Sequence, residues 1–285
     1  MATRPNVLGD YLRARRGLVS PQQVGIPDAG TRRVPGLRRE EVAMLAGISA
    51  DYYLRLERGR DRNPSTQVLE AIARVLQLDQ AHLAYLRTLA CDGPAPRRRR
   101  PRRETVPPGV ATLVASLPHP AYVEGRYFDI LVANEWAQAL SPRLVVGGNQ
   151  LRDLFLDPAE QALHPDWHGS TACLAANLRH AVGTDTGDPR FIELAGELSL
   201  ASPRFSDLWV RHDVKTQFGA PMRFDHPQVG EMTLNRERLS VDGADGLHLV
   251  VFHPDPGTES AEKLALLISA AVPSSDVPPR ERTGA

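Results

Sequence analysis

Residues 37–60 read LRREEVAMLAGISADYYLRLERGR. Val42, Leu45, Ile48, Tyr53 and Leu56 carry the apolar spacing that locks two short helices together across a tight turn. Gly47 sits where the chain must turn, and a residue without Cβ adopts positive φ there at little cost. Ser49 is placed to cap the next helix by accepting from one of its exposed N–H groups. The stretch therefore predicts helices over 38–46 and 50–57, a helix-turn-helix. Its second helix opens on Asp51, a carboxylate where a groove-reading helix more often presents Arg or Gln, and it is followed by Arg58, Arg60 and Arg62.

Further helix signals surround this core, at Leu8 to Arg16, Ser65 to Leu76 and Gln80 to Ala90. Ser65 is a cap, and Val68, Leu69, Ile72, Ala73, Val75 and Leu76 give a stripe of 3.6-residue period. Five short helices make a small all-α domain over residues 1–93. The formal net charge of zero hides an asymmetry, because residues 1–103 hold 20 Arg against 10 Asp plus Glu and residues 104–285 hold 14 Lys plus Arg against 24. A basic half of this kind points to a polyanion partner, here double-stranded DNA. The sign changes within PAPRRRRPRR, residues 94–103, where prolines remove donors and like charges repel, so residues 94–106 read as a linker. The Arg97–Arg103 run serves equally as a tether or as an auxiliary phosphate contact.

Beyond the linker the pattern changes. Residues 120–134, PAYVEGRYFDILVAN, place β-branched and aromatic runs around Glu124-Gly125-Arg126, a hairpin signal, and a short helix follows over 135–140. Residues 151–200 are helix-rich, punctuated by Pro158, Pro165 and Pro189. Strands return at 222–225, 230–234, 238–241 and 247–253, and a helix closes the pattern at 259–271. Strands, helices, strands and a final helix predict an α+β domain with an antiparallel sheet over 107–272. The tail, 273–285, reads as disordered.

Other classes find little support. The apolar runs are far shorter than the roughly 18 residues of a membrane span, and the N-terminal segment lacks the apolar core of a signal peptide. A cytoplasmic protein without membrane contact is expected. Cys91 and Cys173 form neither a disulfide framework nor a metal spacing. His164 and His168 in HPDWH stand four residues apart, but Pro165 disfavours a continuous helix through them and no Glu follows the first His, so no metal site is expected. Neither a phosphate loop nor a nucleophile elbow is present, and no enzyme activity is expected.

LGDYLRARRG, SPQQVGIP, RRVPGLRREEVAMLAGIS, DYYLRLERGR and PSTQVLEAIARVL together resemble the MmyB-like transcription regulators, within the XRE (Cro/repressor-type) helix-turn-helix family. YFDILVANEWAQAL, SPRFSDLWVRHDV and HPQVGEMTL carry the resemblance into the second half. It implies a long connection between the first two helices, matched by Leu18 to Gly36. Transferred position by position, it puts Ala50, Asp51 and Arg55 toward base edges with Tyr52 at the rim of the groove. Arg55 suits a bidentate contact to guanine, and Asp51 suits acceptance from a cytosine amino group. Arg38, Arg39, Ser49, Arg58, Arg60 and Arg62 fall to phosphates, which position without specifying sequence.

For the second half the resemblance implies a PAS-like domain, a sheet with helices over one face, that binds a small apolar ligand such as a fatty acid and forms a homodimer. No obligatory cofactor is expected. Tyr122, Phe128, Leu131, Trp136, Trp167 and Trp209 are the candidate lining. Arg211, His212, Arg223 and His226 are the candidate partners of an acidic head group, because a buried carboxylate needs charge-assisted hydrogen bonds; structural ion pairs are their alternative. The competing reading is a small-molecule-binding or catalytic protein whose helix-turn-helix recruits protein partners.

Overall fold

The structure, a computed structural model, describes residues 6–27, 36–61, 63–90, 104–183, 185–214 and 221–271. The N-terminal part is helical, with α1 (Val7–Leu18), α2 (Arg39–Ala46), α3 (Ala50–Glu57), α4 (Thr66–Val75) and α5 (Gln80–Ala90), and one 3-10 turn at Pro21–Val24. The starts have local causes. Asn6 accepts from the Gly9 N–H at 3.2 Å, Ser49 from Tyr52 at 3.1 Å and Ser65 from Val68 at 3.4 Å, and such caps are typically worth about 1 kcal/mol each. Gly47 ends α2 at φ +69°, as the turn requires.

Tyr11, Leu12, Val42, Tyr53, Leu56, Ile72 and Leu86 are buried in one core. Leu45 departs from expectation: it is half-exposed on the outer side of α2, and Ala43 takes the inward position. Helix α1 crosses α3 so closely that a Cβ on Gly9 would stand 2.1 Å from the Glu57 carbonyl oxygen. Asn6 Nδ2 donates to that oxygen at 2.7 Å and pins the crossing.

The C-terminal part is α+β. Its elements are α6 (Pro108–Ser116), β1 (Ala121–Glu124), β2 (Ile130–Ala133), α7 (Glu135–Leu140), α8 (Gln150–Leu156), α9 (Pro158–Ala162), α10 (Trp167–Val182), α11 (Pro189–Ala201), α12 (Pro203–Val210), β3 (Pro221–His226), β4 (Gly230–Ser240), β5 (His248–His253) and α13 (Glu259–Ala271). The strands form one antiparallel sheet in the order β2-β1-β5-β4-β3. Pro158, Pro189 and Pro203 each occupy the first turn of a helix, where the missing N–H costs nothing. The two strands expected at 230–234 and 238–241 are one continuous β4. Helix α6 was not expected, and it packs Val114 against Ala121, Val123 and Leu249 on the second face of the sheet, so helices lie on both faces rather than one.

The first face carries Tyr122, Phe224, Met232, Leu234, Val250 and Phe252 beneath Leu140 of α7 and Leu264 and Leu267 of α13. A separate aromatic core fills the helical layer, with Phe128, Phe155, Leu178, Phe191 and Phe205 buried between α8, α10, α11 and α12. Asn134 ties β2 to both neighbours: its Oδ1 accepts from Ala121 and Ala137, and its Nδ2 donates to the carbonyls of Val114 and His119. Just past α12, Val214 is fully buried in the core of the N-terminal helices, and its N–H donates to His82 Nε2 at 3.2 Å.

Candidate functional site

Helix α3 presents Ala50, Asp51 and Arg55 to solvent with Tyr52 half-buried beside them. Arg55 pairs with Asp51 one turn earlier, and its guanidinium lies 5.5 Å from the centre of the Tyr52 ring. The three side chains thus form one patch, held by a solvent-exposed pair of small intrinsic worth. Arg38, Arg58 and Arg60 are exposed around it, whereas Ser49 Oγ is engaged by the cap of α3. Arg39 is exposed beside them but is tied to a partner. Its Nε lies 2.5 Å from Glu57, which also accepts from Arg16 at 2.7 Å and is 1% exposed. Burial, and then the Glu57 charge, push the Tyr53 hydroxyl well above its ordinary range. Arg39 is therefore the exposed member of an ion-pair hub centred on the buried Glu57. Arg62 and the 97–103 run lie outside the described residues.

The second cluster lies where the sheet meets the helical layer. Side chains two apart on a strand share a face, so Tyr122 and Glu124 on β1, Val250 on β5, and Arg236 and Arg238 on β4 all point inward through the registers Tyr122 to Val250, Arg238 to Val250 and Arg236 to Phe252. Glu124 is fully buried and Arg236 is 7% exposed. Arg238 Nε donates to Glu124 Oε1 at 2.6 Å, and Arg236 Nη2 lies 3.6 Å from Oε2. Two guanidiniums converge on one carboxylate. Opposite them stand Gln150 of α8, 3.5 Å from Arg236, the Phe128 ring, 5.8 Å from Arg238, and α10 with His180. The Tyr122 hydroxyl, Glu124 Oε2 and Arg236 Nε are buried with no hydrogen-bond partner among the described residues. Burial, and then the Arg238 charge, hold His180 and His248 below the ordinary imidazole range. A cationic, donor-rich layer thus separates the aromatic core from the apolar part of the sheet, an arrangement suited to a bidentate anion.

Residues 7–86 match a family profile described as a helix-turn-helix domain. Residues 106–267, more than half of the chain, match the MmyB-like transcription regulator ligand binding domain. The chain belongs to the MmyB-like transcription regulators. Its two domains make it a ligand-responsive DNA-binding regulator. No curated protein matches the sequence.

Within this MmyB-like regulator the expected ligand residues separate into groups. Tyr122 and Phe128 border the arginine layer. Trp167 donates from Nε1 to the Leu154 carbonyl at 2.9 Å, and Trp209 stacks on Phe205 with centroids 5.5 Å apart, so both belong to the helical packing. Trp136 is half-buried on α7. Leu131 packs toward α6 and borders an open groove of about 680 Å³ along edge strand β2, whose lining includes neither arginine.

The four expected head-group partners do not converge. Arg223 pairs with Glu231 on the exposed edge, and Arg211 pairs with Asp213. His226 is bound to the Ala139 carbonyl and accepts from Gln228, and His212 lies against the N-terminal helices. Instead the MmyB-like domain gathers Glu124, Arg236 and Arg238. Their signal was period-two alternation: Met232, Leu234, Arg236 and Arg238 share a face once β4 is read as one strand.

Proposed function

We propose that this regulator reads a two-fold operator as a homodimer through α3, and that a small apolar acid, a fatty acid or similar, switches it from within a PAS-like domain. The observation that carries the ligand class is the convergence of Arg236 and Arg238 on Glu124 at the inner face of the sheet. Buried charge is tolerated when paired and hydrogen-bonded. A ligand carboxylate accepts from Arg236 and the Tyr122 hydroxyl, while its chain lies along Phe128 and the aromatic core. In this proposal residues 1–93 are the DNA-binding head, 94–106 the linker and 107–272 the ligand and dimerisation domain, acting in the cytoplasm without an obligatory cofactor.

The exposed patch of Asp51, Tyr52 and Arg55 supports base reading, with Arg38, Arg58 and Arg60 on phosphates. On a symmetric dimer the two α3 helices enter major grooves about 34 Å apart. The acid shifts operator affinity because it binds one arrangement of the dimer better than another.

Selection from a random DNA pool with the full chain, alongside native mass spectrometry with added dodecanoate, tests both halves. The expected results are an enriched two-fold motif and a one-to-one dodecanoate complex that Arg236→Met weakens at least about tenfold while preserving the fold, since the replacement is of similar length and Glu124 keeps its closer partner Arg238. DNA binding without sequence preference would sink the operator reading. Equal dodecanoate affinity in Arg236→Met would sink the acid site.

A further inference from the structure

We infer that residues 209–214 are a latch through which the ligand domain's helical core positions the DNA-binding head, which rests on the ligand-responsive reading proposed above. Within six residues the chain passes from one hydrophobic core to the other. At its start, Trp209 lies in the aromatic stack of Phe191 and Phe205. Arg179 of α10 covers the Trp209 ring at 3.9 Å, donates to the Trp209 carbonyl, and donates to His212 Nδ1 at 3.0 Å. At its end, Asp213 pairs with Arg15 of α1 at 2.6 Å, and Val214 fills a socket in the head core with its N–H on His82 of α5. The His212 ring meets the Tyr11 ring at 6.3 Å. The joint is a packed and hydrogen-bonded connection on the side of the head that carries α1 and α5.

Two features make it a relay. His212 adopts φ +54°, a left-handed conformation that is unfavourable for a residue with a Cβ and persists only where its surroundings over-determine it. Its surroundings are Arg179 on one side and Tyr11 on the other, so release of either end frees the turn. Helix α10 also serves two places within one turn: His180 lies near Arg238 of the arginine layer, and Arg179 holds the latch. An anion that reorders the layer therefore acts on the helix that secures residues 209–214. Close-packed interfaces answer such displacements by shifting between discrete arrangements.

The test compares the full wild-type chain with Asp213→Ala, which removes the Arg15 pair, and Val214→Gly, which empties the socket. With the latch as inferred, amide exchange in α1 and α5 rises about tenfold or more in both variants, while β3, β4 and β5 keep wild-type protection. Unchanged protection of α1 and α5 would overturn the latch. In parallel, operator affinity is measured with and without dodecanoate. The variants are expected to bind dodecanoate as the wild type does yet lose its effect on operator affinity; a full wild-type response in both variants would overturn the regulatory role. Failure of the wild type itself to bind dodecanoate would count against the acid ligand alone, and the exchange comparison would still decide the latch.

Discussion

Arg55 has two partners to choose between. In the free protein it pairs with Asp51 and leans over Tyr52; on DNA the same fork matches the O6 and N7 of guanine. Because the pair is exposed, exchanging Asp51 for a base costs little. Arg55→Ala is expected to lose about 1–3 kcal/mol of discrimination at one base pair per half-site, read by comparing selected motifs at fixed salt. A motif identical to that of the wild type would remove Arg55 from base reading.

Arg39 and Arg58 provide a contrast. Arg58→Ala should reduce the dependence of log affinity on log salt by about one unit, whereas Arg39→Ala should lower stability with little change in that slope, since Arg39 serves Glu57. At the latch, burial first and the Arg179 charge second lower His212 to a pKa of about 4. Arg15 acts in the same direction and Asp213 against it. The unfolded chain takes up this proton near pH 6.5, so between pH 6.5 and 4 the unfolded state binds more protons than the folded one. Stability is therefore full above pH 6.5 and falls as pH drops toward 4. Urea unfolding at pH 7 and pH 5 should show the loss, and His212→Asn, whose side chain tolerates the left-handed backbone, should reduce it. Equal losses in both proteins would remove His212 from the account.

At the scale of elements, α3 is fixed from below by its contact with α1. Gly9 admits the Glu57 carbonyl, Asn6 binds it, and the Glu57 carboxylate collects Arg16 and Arg39. Removing that carboxylate leaves Arg16 largely buried without its counter-charge, and Glu57→Ala is expected to cost about 3 kcal/mol in denaturant unfolding of the head. A cost near zero would mean that water reaches the hub.

The N-terminal helices were legible because their causes are local: caps at Ser49 and Ser65, a turn glycine at 47, and stripes of 3.6-residue period. The bounds of α3 follow from residues 49–58 alone. Leu45 misled because the same apolar spacing fits either side of a helix only eight residues long. The arginine layer was illegible for a different reason. Charged residues in a strand ordinarily mark a solvated face, and only pairing with β5, together with the helices packed opposite, puts Arg236 and Arg238 inside. Asn235 and Glu237, their neighbours in sequence, lie on the other face and look much the same in composition.

At the scale of the molecule, charge divides the chain into a basic head and an acidic remainder, and this division was plain from composition. The joint between them was not, since a valine after RHD carries no mark of its destination. No helix among the described residues is long and apolar enough to cross a membrane.

Val214 also has a temporal consequence. It completes the head core by a hydrogen bond to a residue 132 positions earlier. During synthesis the head emerges and collapses while the residue that fills its socket has not yet been made. Contacts of such separation close slowly, and uncovered apolar surface invites association in the meantime. The early chain should therefore pass through a stage with a finished helix-turn-helix and an unfilled socket between α1 and α5.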